Sequence, residues 1–162
     1  MARRLHVLSW MRPRLAGRSG YTVLELLLVM VIIAIIAAIT YVRVAPALSR
    51  ARVRGAASVL ATDLQYAQVL AARYRTPMQI AVNTVAMSYQ IVDVIGGTVY
   101  RERRFGAGGE YGLAEFGASP TTVRVFPNAV VAQSSQYTLG RDGYRRRVTF
   151  SRAGQIRVAT VP

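Results

Sequence analysis

The sequence predicts an α+β protein in which one long N-terminal helix, apolar in its first half, packs its second half on a small antiparallel β-sheet head. Three observations predict it. Residues 26–39 are fourteen consecutive apolar residues, residues 53–71 carry apolar side chains at spacings of three and four, and short alternating runs follow Pro77. These changes of period divide the chain into residues 1–20, 21–42, 43–76 and 77–162.

Residues 1–20 form a basic leader. They contain five arginines and no acid, and they lack the apolar stretch of a Sec-type signal peptide. Met11 offers an alternative start, and the choice between Met1 and Met11 stays open. The leader also holds His6, the one histidine of a chain without cysteine, so its removal excludes histidine-based nucleophilic catalysis and His-ligated zinc. We therefore expect no enzyme activity, no cofactor and no metal.

Residues 21–42 are long and apolar enough to span a bilayer, with Glu25 as their single charge. Burying such a segment on every face would need a much larger domain than this chain can form. The leader arginines favour a cytoplasmic N-terminus, although four arginines between residues 43 and 54 partly oppose that bias. The sequence thus predicts a single-pass membrane protein whose head faces outward, and the resemblance described next implies that this is the inner membrane with the head in the periplasm.

The junction of leader and apolar segment carries a recognisable motif. Residues 20–27 read Gly-Tyr-Thr-Val-Leu-Glu-Leu-Leu, which resembles the class III signal of type IV pilins and type II secretion pseudopilins. The resemblance implies that a prepilin peptidase cuts between Gly20 and Tyr21 and that Tyr21, in place of the usual Phe, is N-methylated. It also implies that Glu25 faces the N-terminal ammonium of a neighbouring subunit. That pair would offset the cost of a carboxylate at this depth, about 2.5–3.5 kcal/mol.

The helix is expected to continue from the membrane segment into the head and to end near Tyr74, before Pro77. Pro46 and Gly55 should kink or weaken it. Its charged residues, Asp63 among them, are expected away from the apolar stripe. The predicted core positions are Val53, Ala57, Leu60, Leu64, Ala67 and Ala71.

The head is predicted to contain six or seven strands. The candidate runs are residues 78–82, 88–94, 98–105, 121–126, 144–150 and 155–161, separated by glycine and asparagine turns. The Gly-rich stretch 106–119 lacks the lysine of a P-loop and the spacing of a dinucleotide fingerprint. We therefore interpret that stretch as a flexible loop.

Two regions resemble one subgroup, the pseudopilin H and FimT (GspH/FimT) group. They are the helix-to-strand join at residues 60–82 and the closing hairpin at residues 147–158. This resemblance implies a minor pseudopilin of a type II secretion system, which assembles with other pseudopilins in a periplasmic pseudopilus that drives protein export. The alternative is a FimT-like minor pilin of a type IV pilus that binds DNA for natural transformation. The resemblance leaves both open.

Arginine supplies all 21 basic residues against 7 acids, giving a net charge of +14. Such a charge favours anionic partners, but a GC-rich genome would also replace lysine by arginine. The candidate DNA-binding residues are Arg141, Arg145, Arg147, Arg152 and Arg157. Strand alternation places Arg145, Arg147 and Arg157 on one outer face. The GRxR element of FimT-type pilins is incomplete, with Gln155 at its first arginine, and an edge-protecting charged face explains the pattern as well.

Overall fold

The computed structural model describes residues 21–161, except for the side chains of residues 42 and 43. Within these residues the chain forms one helix and eight strands. Helix α1 spans Val23–Tyr74, so it ends where the sequence predicts and continues through Pro46. The chain divides into two compact units, one ending at Thr40 and one beginning at Tyr41.

The first unit is helical and exposed. Thr22 precedes the helix, and its Oγ1 accepts a 3.2 Å hydrogen bond from the backbone N–H of Glu25. A threonine before the first turn with a glutamate three residues later is the pattern of a capping box. The apolar side chains of this unit are all exposed, from Val23 to Ile39.

The second unit is built on the later part of α1. The six core positions predicted from the helical spacing are all buried, and Ala56 and Leu70 join them. Alanine occupies three of the six predicted positions, and all of these side chains pack in the apolar core. The amphipathic pattern therefore identified the packed face correctly.

Eight strands form two four-stranded antiparallel sheets, in the orders β3-β2-β1-β5 and β4-β6-β7-β8. Their bounds are β1 Met78–Asn83, β2 Ser88–Asp93, β3 Val99–Arg104, β4 Glu115–Ser119, β5 Thr122–Val125, β6 Ser135–Arg141, β7 Tyr144–Phe150 and β8 Ile156–Val161. All six predicted runs are strands, and β4 and β6 are additional.

The interpretation of residues 106–119 as a loop is wrong for its last five residues, which form β4. These residues pair with β6, whose own sequence mixes glycine and small polar residues with Tyr137 and Leu139. Each strand alone has a weak β pattern. Pairing and burial of Phe116 against the core stabilise both.

Aromatic side chains join the two sheets. Phe105 follows β3, and its ring centroid lies 5.4 Å from that of Tyr89 on β2 and 5.2 Å from that of Phe116 on β4. The contact with Phe116 is edge-to-face, a favourable arrangement for aromatic rings. This cluster fixes the sheet β4-β6-β7-β8 relative to the sheet β3-β2-β1-β5.

Candidate assembly segment and arginine face

The predicted processing and assembly residues lie at the start of α1. Gly20 lies outside the described residues. Tyr21 is 76% exposed, and Glu25 is an exposed residue in the first turn of the helix. A carboxylate there interacts favourably with the helix dipole, so Glu25 has a local role in the helix start that the sequence reasoning missed. The T-x-x-E spacing at residues 22–25 was the available signal.

One helix in the described part of the chain is long and apolar enough to cross a membrane, and its apolar window is not buried. Its exposed large side chains include three successive leucines, residues 26–28, each more than half exposed. Exposed apolar surface of this extent requires a lipid or protein environment.

Asp63, which was expected only to lie away from the apolar stripe of the helix, is buried at 3% exposure. Its Oδ2 accepts hydrogen bonds from Arg103 Nε at 2.6 Å and from the Tyr89 hydroxyl at 2.5 Å. Arg101 Nη1 lies 3.4 Å from Oδ1. The arginines of β3 compensate the carboxylate, and this explains its burial. Burial, followed by the hydrogen bond to Asp63, raises the pKa of Tyr89 well above its usual range.

Alternation along β7 follows the predicted phase. Tyr144, Arg146, Val148 and Phe150 share the inner side, whereas Arg145 and Arg147 are exposed on the outer side. Arg157 on β8 pairs with Thr149 of β7 and so shares the outer face. We call Arg145, Arg147 and Arg157 the arginine face.

The members of the arginine face differ in what they contact. Arg145 Nε donates a 2.7 Å hydrogen bond to Glu115 Oε2 on β4, which neutralises part of its charge. Arg147 pairs across the strands with Ala159 and Thr138, so small residues surround it. This leaves an exposed guanidinium group between small neighbours, a geometry suited to phosphate contact.

The two remaining candidates lie elsewhere. Arg141 lies on the opposite face of its sheet, since it pairs with Tyr144, and its side chain hydrogen-bonds the carbonyl of Gly112 and, at 3.3 Å, Asp142 Oδ2. Arg152 is exposed in the turn between β7 and β8. The structure therefore brings three of the five candidate arginines together.

Among the residues described, no group of three or more His, Asp or Glu side chains is arranged to hold a metal ion.

Comparison with known proteins gives one sequence match. Residues 15–41 match the family model described as the prokaryotic N-terminal methylation motif. This stretch contains Gly20, Tyr21 and Glu25. No curated protein matches the chain significantly.

Solved structures match the fold. The type IV minor pilin FimU of Pseudomonas aeruginosa (strain PAO1) is similar in two crystal forms, with TM-scores of 0.52 and 0.56 and identities of 18% and 19%. These matches cover 65% and 68% of this chain and 91% and 90% of FimU. The minor pseudopilin EpsH from the type 2 secretion system of Vibrio cholerae has a TM-score of 0.53 at 11% identity, covering 67% of this chain and 97% of EpsH.

The predicted pilin-like architecture, a long N-terminal helix on an antiparallel β head, is thus confirmed. The apolar helix and the methylation motif together indicate membrane anchoring of a soluble head. Pilin-like proteins are processed by prepilin peptidase at this motif and assemble with other pilins in filaments. The chain therefore carries the prokaryotic N-terminal methylation motif at residues 15–41 and has a fold similar to that of a type IV minor pilin and of a minor pseudopilin.

Proposed function

We propose that this chain is a minor pseudopilin of a type II secretion system, assembled through its N-terminal helix into a periplasmic pseudopilus that drives protein export. The observation that carries the proposal is the composition of α1. Its side chains are apolar and exposed from Val23 to Ile39, and the same helix supplies buried core residues from Val53 onward. A subunit that must pack its helix into a filament and keep a folded head needs both properties in one element.

In this proposal residues 1–20 are the leader, removed between Gly20 and Tyr21, and Tyr21 is the methylated N-terminus. Residues 21–42 anchor the unassembled chain in the inner membrane and later form the filament core. Residues 43–76 join this core to the β-rich head, residues 77–162, in the periplasm. The exposure of Glu25 supports its role as the partner of a neighbouring N-terminal ammonium.

The test is loss of function in the source bacterium. We expect that deleting the gene abolishes export of secreted hydrolases, and that complementation restores it only when the encoded chain is recovered in sheared filaments. A deletion strain that secretes normally but fails in transformation would contradict the secretion assignment.

A second candidate function rests on the arginine face. Arg147 and Arg157 are exposed on the outer side of one sheet, with Arg145 beside them. Arginines in this arrangement suit contact with DNA phosphates without sequence readout. The second proposal is therefore a FimT-like minor pilin that captures DNA. It predicts that the deletion strain loses transformation and keeps secretion.

A further inference from the structure

A cavity of about 450 Å³ lies in the second unit, between α1 and the turn that joins β6 to β7. Pro46, Ser49 and Arg50 line it from the helix, and Asp142 and Tyr144 line it from the turn. The cavity is open to solvent at the part of α1 that follows the apolar segment most closely in sequence. A volume of this size accommodates a small polar group such as a phosphate ester.

One arginine lines this cavity, and others lie next to the lining residue Tyr144. Arg50 lines it, and Arg54 Nε donates a 3.4 Å hydrogen bond to the Tyr144 hydroxyl, with its guanidinium carbon 5.9 Å from the ring centroid. Arg146 lies on the same inner side of β7 as Tyr144. Its Nε is buried and has no hydrogen-bond partner among the described residues. Guanidinium groups without a carboxylate partner favour an anionic ligand.

Asp142 is the one carboxylate among the described residues that line the cavity, and it already accepts hydrogen bonds from other residues of the protein. Its Oδ2 accepts hydrogen bonds from Ser49 Oγ at 2.5 Å and from Arg141 Nε at 3.3 Å. The local potential is therefore positive. In agreement, the hydrogen bond from Arg54, followed by hydrogen bonds with Thr160 and Arg146 and the charge of Arg146, lowers the pKa of Tyr144 to about 8.

An exposed apolar stripe lies on the same stretch of helix. Tyr41, Val44 and Leu48 are 75%, 54% and 50% exposed and recur at spacings of three and four. Tyrosine and aliphatic side chains beside arginines are typical of a helix at the boundary between head groups and acyl chains. A soluble anion would account for the arginines but not for this stripe. A lipid accounts for both, because its phosphate matches the arginines and its acyl chains match the apolar stripe.

We propose that this cavity binds the phosphate head group of an anionic phospholipid. The inference rests on the proposed membrane anchoring but not on the secretion assignment. Arg50 and Arg54 bind the phosphate, and the apolar stripe contacts the acyl boundary. Juxtamembrane arginines contribute to binding of anionic lipid individually, by about fivefold each.

The test uses the full chain in detergent, with bound lipid counted by native mass spectrometry. Wild type should retain phosphatidylglycerol over phosphatidylcholine. The double variant Arg50→Gln/Arg54→Gln should lose that preference by about twenty-five-fold. The matched control, Arg104→Gln/Arg124→Gln, removes two exposed arginines from the sheet β3-β2-β1-β5. It should keep the preference for phosphatidylglycerol. Thermal unfolding of both variants checks that they fold.

Two further arms identify the ligand. Leu48→Ser should weaken phosphatidylglycerol binding without changing competition by inorganic phosphate, since phosphate alone does not reach the stripe. Equal loss in the control, or no lipid preference in wild type, overturns the proposal. If the double variant keeps phosphatidylglycerol but fails to enter filaments, the cavity is a contact between subunits and the proposal is also overturned. Failure of the secretion assignment leaves the lipid measurement unaffected.

Discussion

The carboxylate of Asp63 on α1 accepts a 2.6 Å hydrogen bond from Arg103 Nε on β3. Through this bond the helix is fixed to the edge of the sheet β3-β2-β1-β5. The Tyr89 hydroxyl donates to the same oxygen from β2, so two strands hold one helical side chain. The head therefore depends on a buried charged group as well as on its apolar core.

Replacing Asp63 should destabilise the head. Asp63→Ala leaves Arg103 and Arg101 without their carboxylate and the Tyr89 hydroxyl without its acceptor. Because both arginines remain about one-third exposed, we expect a loss of about 2–4 kcal/mol in the free energy of unfolding. Denaturant titration of the full chain measures it. Glu102→Gln, which removes a weak exposed pair at 3.9 Å, is the control and should cost less than about 1 kcal/mol.

Tyr144 should ionise earlier than an ordinary tyrosine. Its pKa is lowered to about 8, chiefly by the Arg54 hydrogen bond. Tyrosinate absorbance during a pH titration should show a step near pH 8 that Tyr144→Phe abolishes and Arg54→Gln moves upward. Because the folded pKa lies below the unfolded value, this group contributes stability above the unfolded pKa and loses it as the pH falls through about 8. A titration with no such step excludes the contact.

The mature chain should begin at Tyr21 with a methylated amine, since the methylation motif covers residues 15–41. Intact-mass analysis of membrane-extracted protein checks both the start and the methyl group. Gly20→Asp, which adds a side chain at the predicted cut, should leave the leader attached. An N-terminus beyond residue 40 in the wild-type protein would remove the pilin-like processing route.

Substitutions at Glu25 separate its two roles. Glu25→Gln keeps a side chain suited to the capping box but removes the charge, so it should insert in the membrane and fail to enter filaments. Thr22→Ala removes the cap acceptor and keeps the charge, and we expect it to assemble with a frayed first turn. Recovery in sheared filaments relative to total membrane protein is the measurement. Normal incorporation of Glu25→Gln would show that the intersubunit charge pair is dispensable.

DNA binding by the arginine face should depend on which arginines are paired. Arg147→Ala and Arg157→Ala should each reduce the slope of log affinity against log salt by about one. Arg145→Ala should reduce it less, because Glu115 already neutralises part of that charge. Glu115→Gln and Gln155→Arg should both strengthen binding. Mobility shift of duplex DNA with the full chain tests this series.

Phe150→Ala is the control for that series, because Phe150 is fully buried and its loss should cost about 3–5 kcal/mol in stability. If the folded wild-type chain does not shift DNA at low salt, the arginine face is a solvated surface. The DNA-capture proposal would then be wrong, and the secretion proposal would be the one to keep.

Features that depend on local sequence were predictable. The apolar segment, the end of α1 near Tyr74 and the six predicted strands all follow from composition and period over short windows. The alternation of β7 likewise predicted that Arg145 and Arg147 are exposed while Val148 and Phe150 are buried. Each of these features depends on the composition or periodicity of one continuous segment of the chain.

Features that depend on pairing between distant segments were decided by the tertiary structure. Strands β4 and β6 lack a strong β pattern of their own and form because β6 pairs with β7 on one side and with β4 on the other. Asp63 is buried because Arg101 and Arg103, about forty residues later, reach it, and Arg145 is paired because β4 lies within its reach. The sequence by itself determined the long helix, its apolar segment and six of the eight strands. The tertiary structure decided which charges are compensated, because that depends on strand register and helix docking, which local periodicity does not encode.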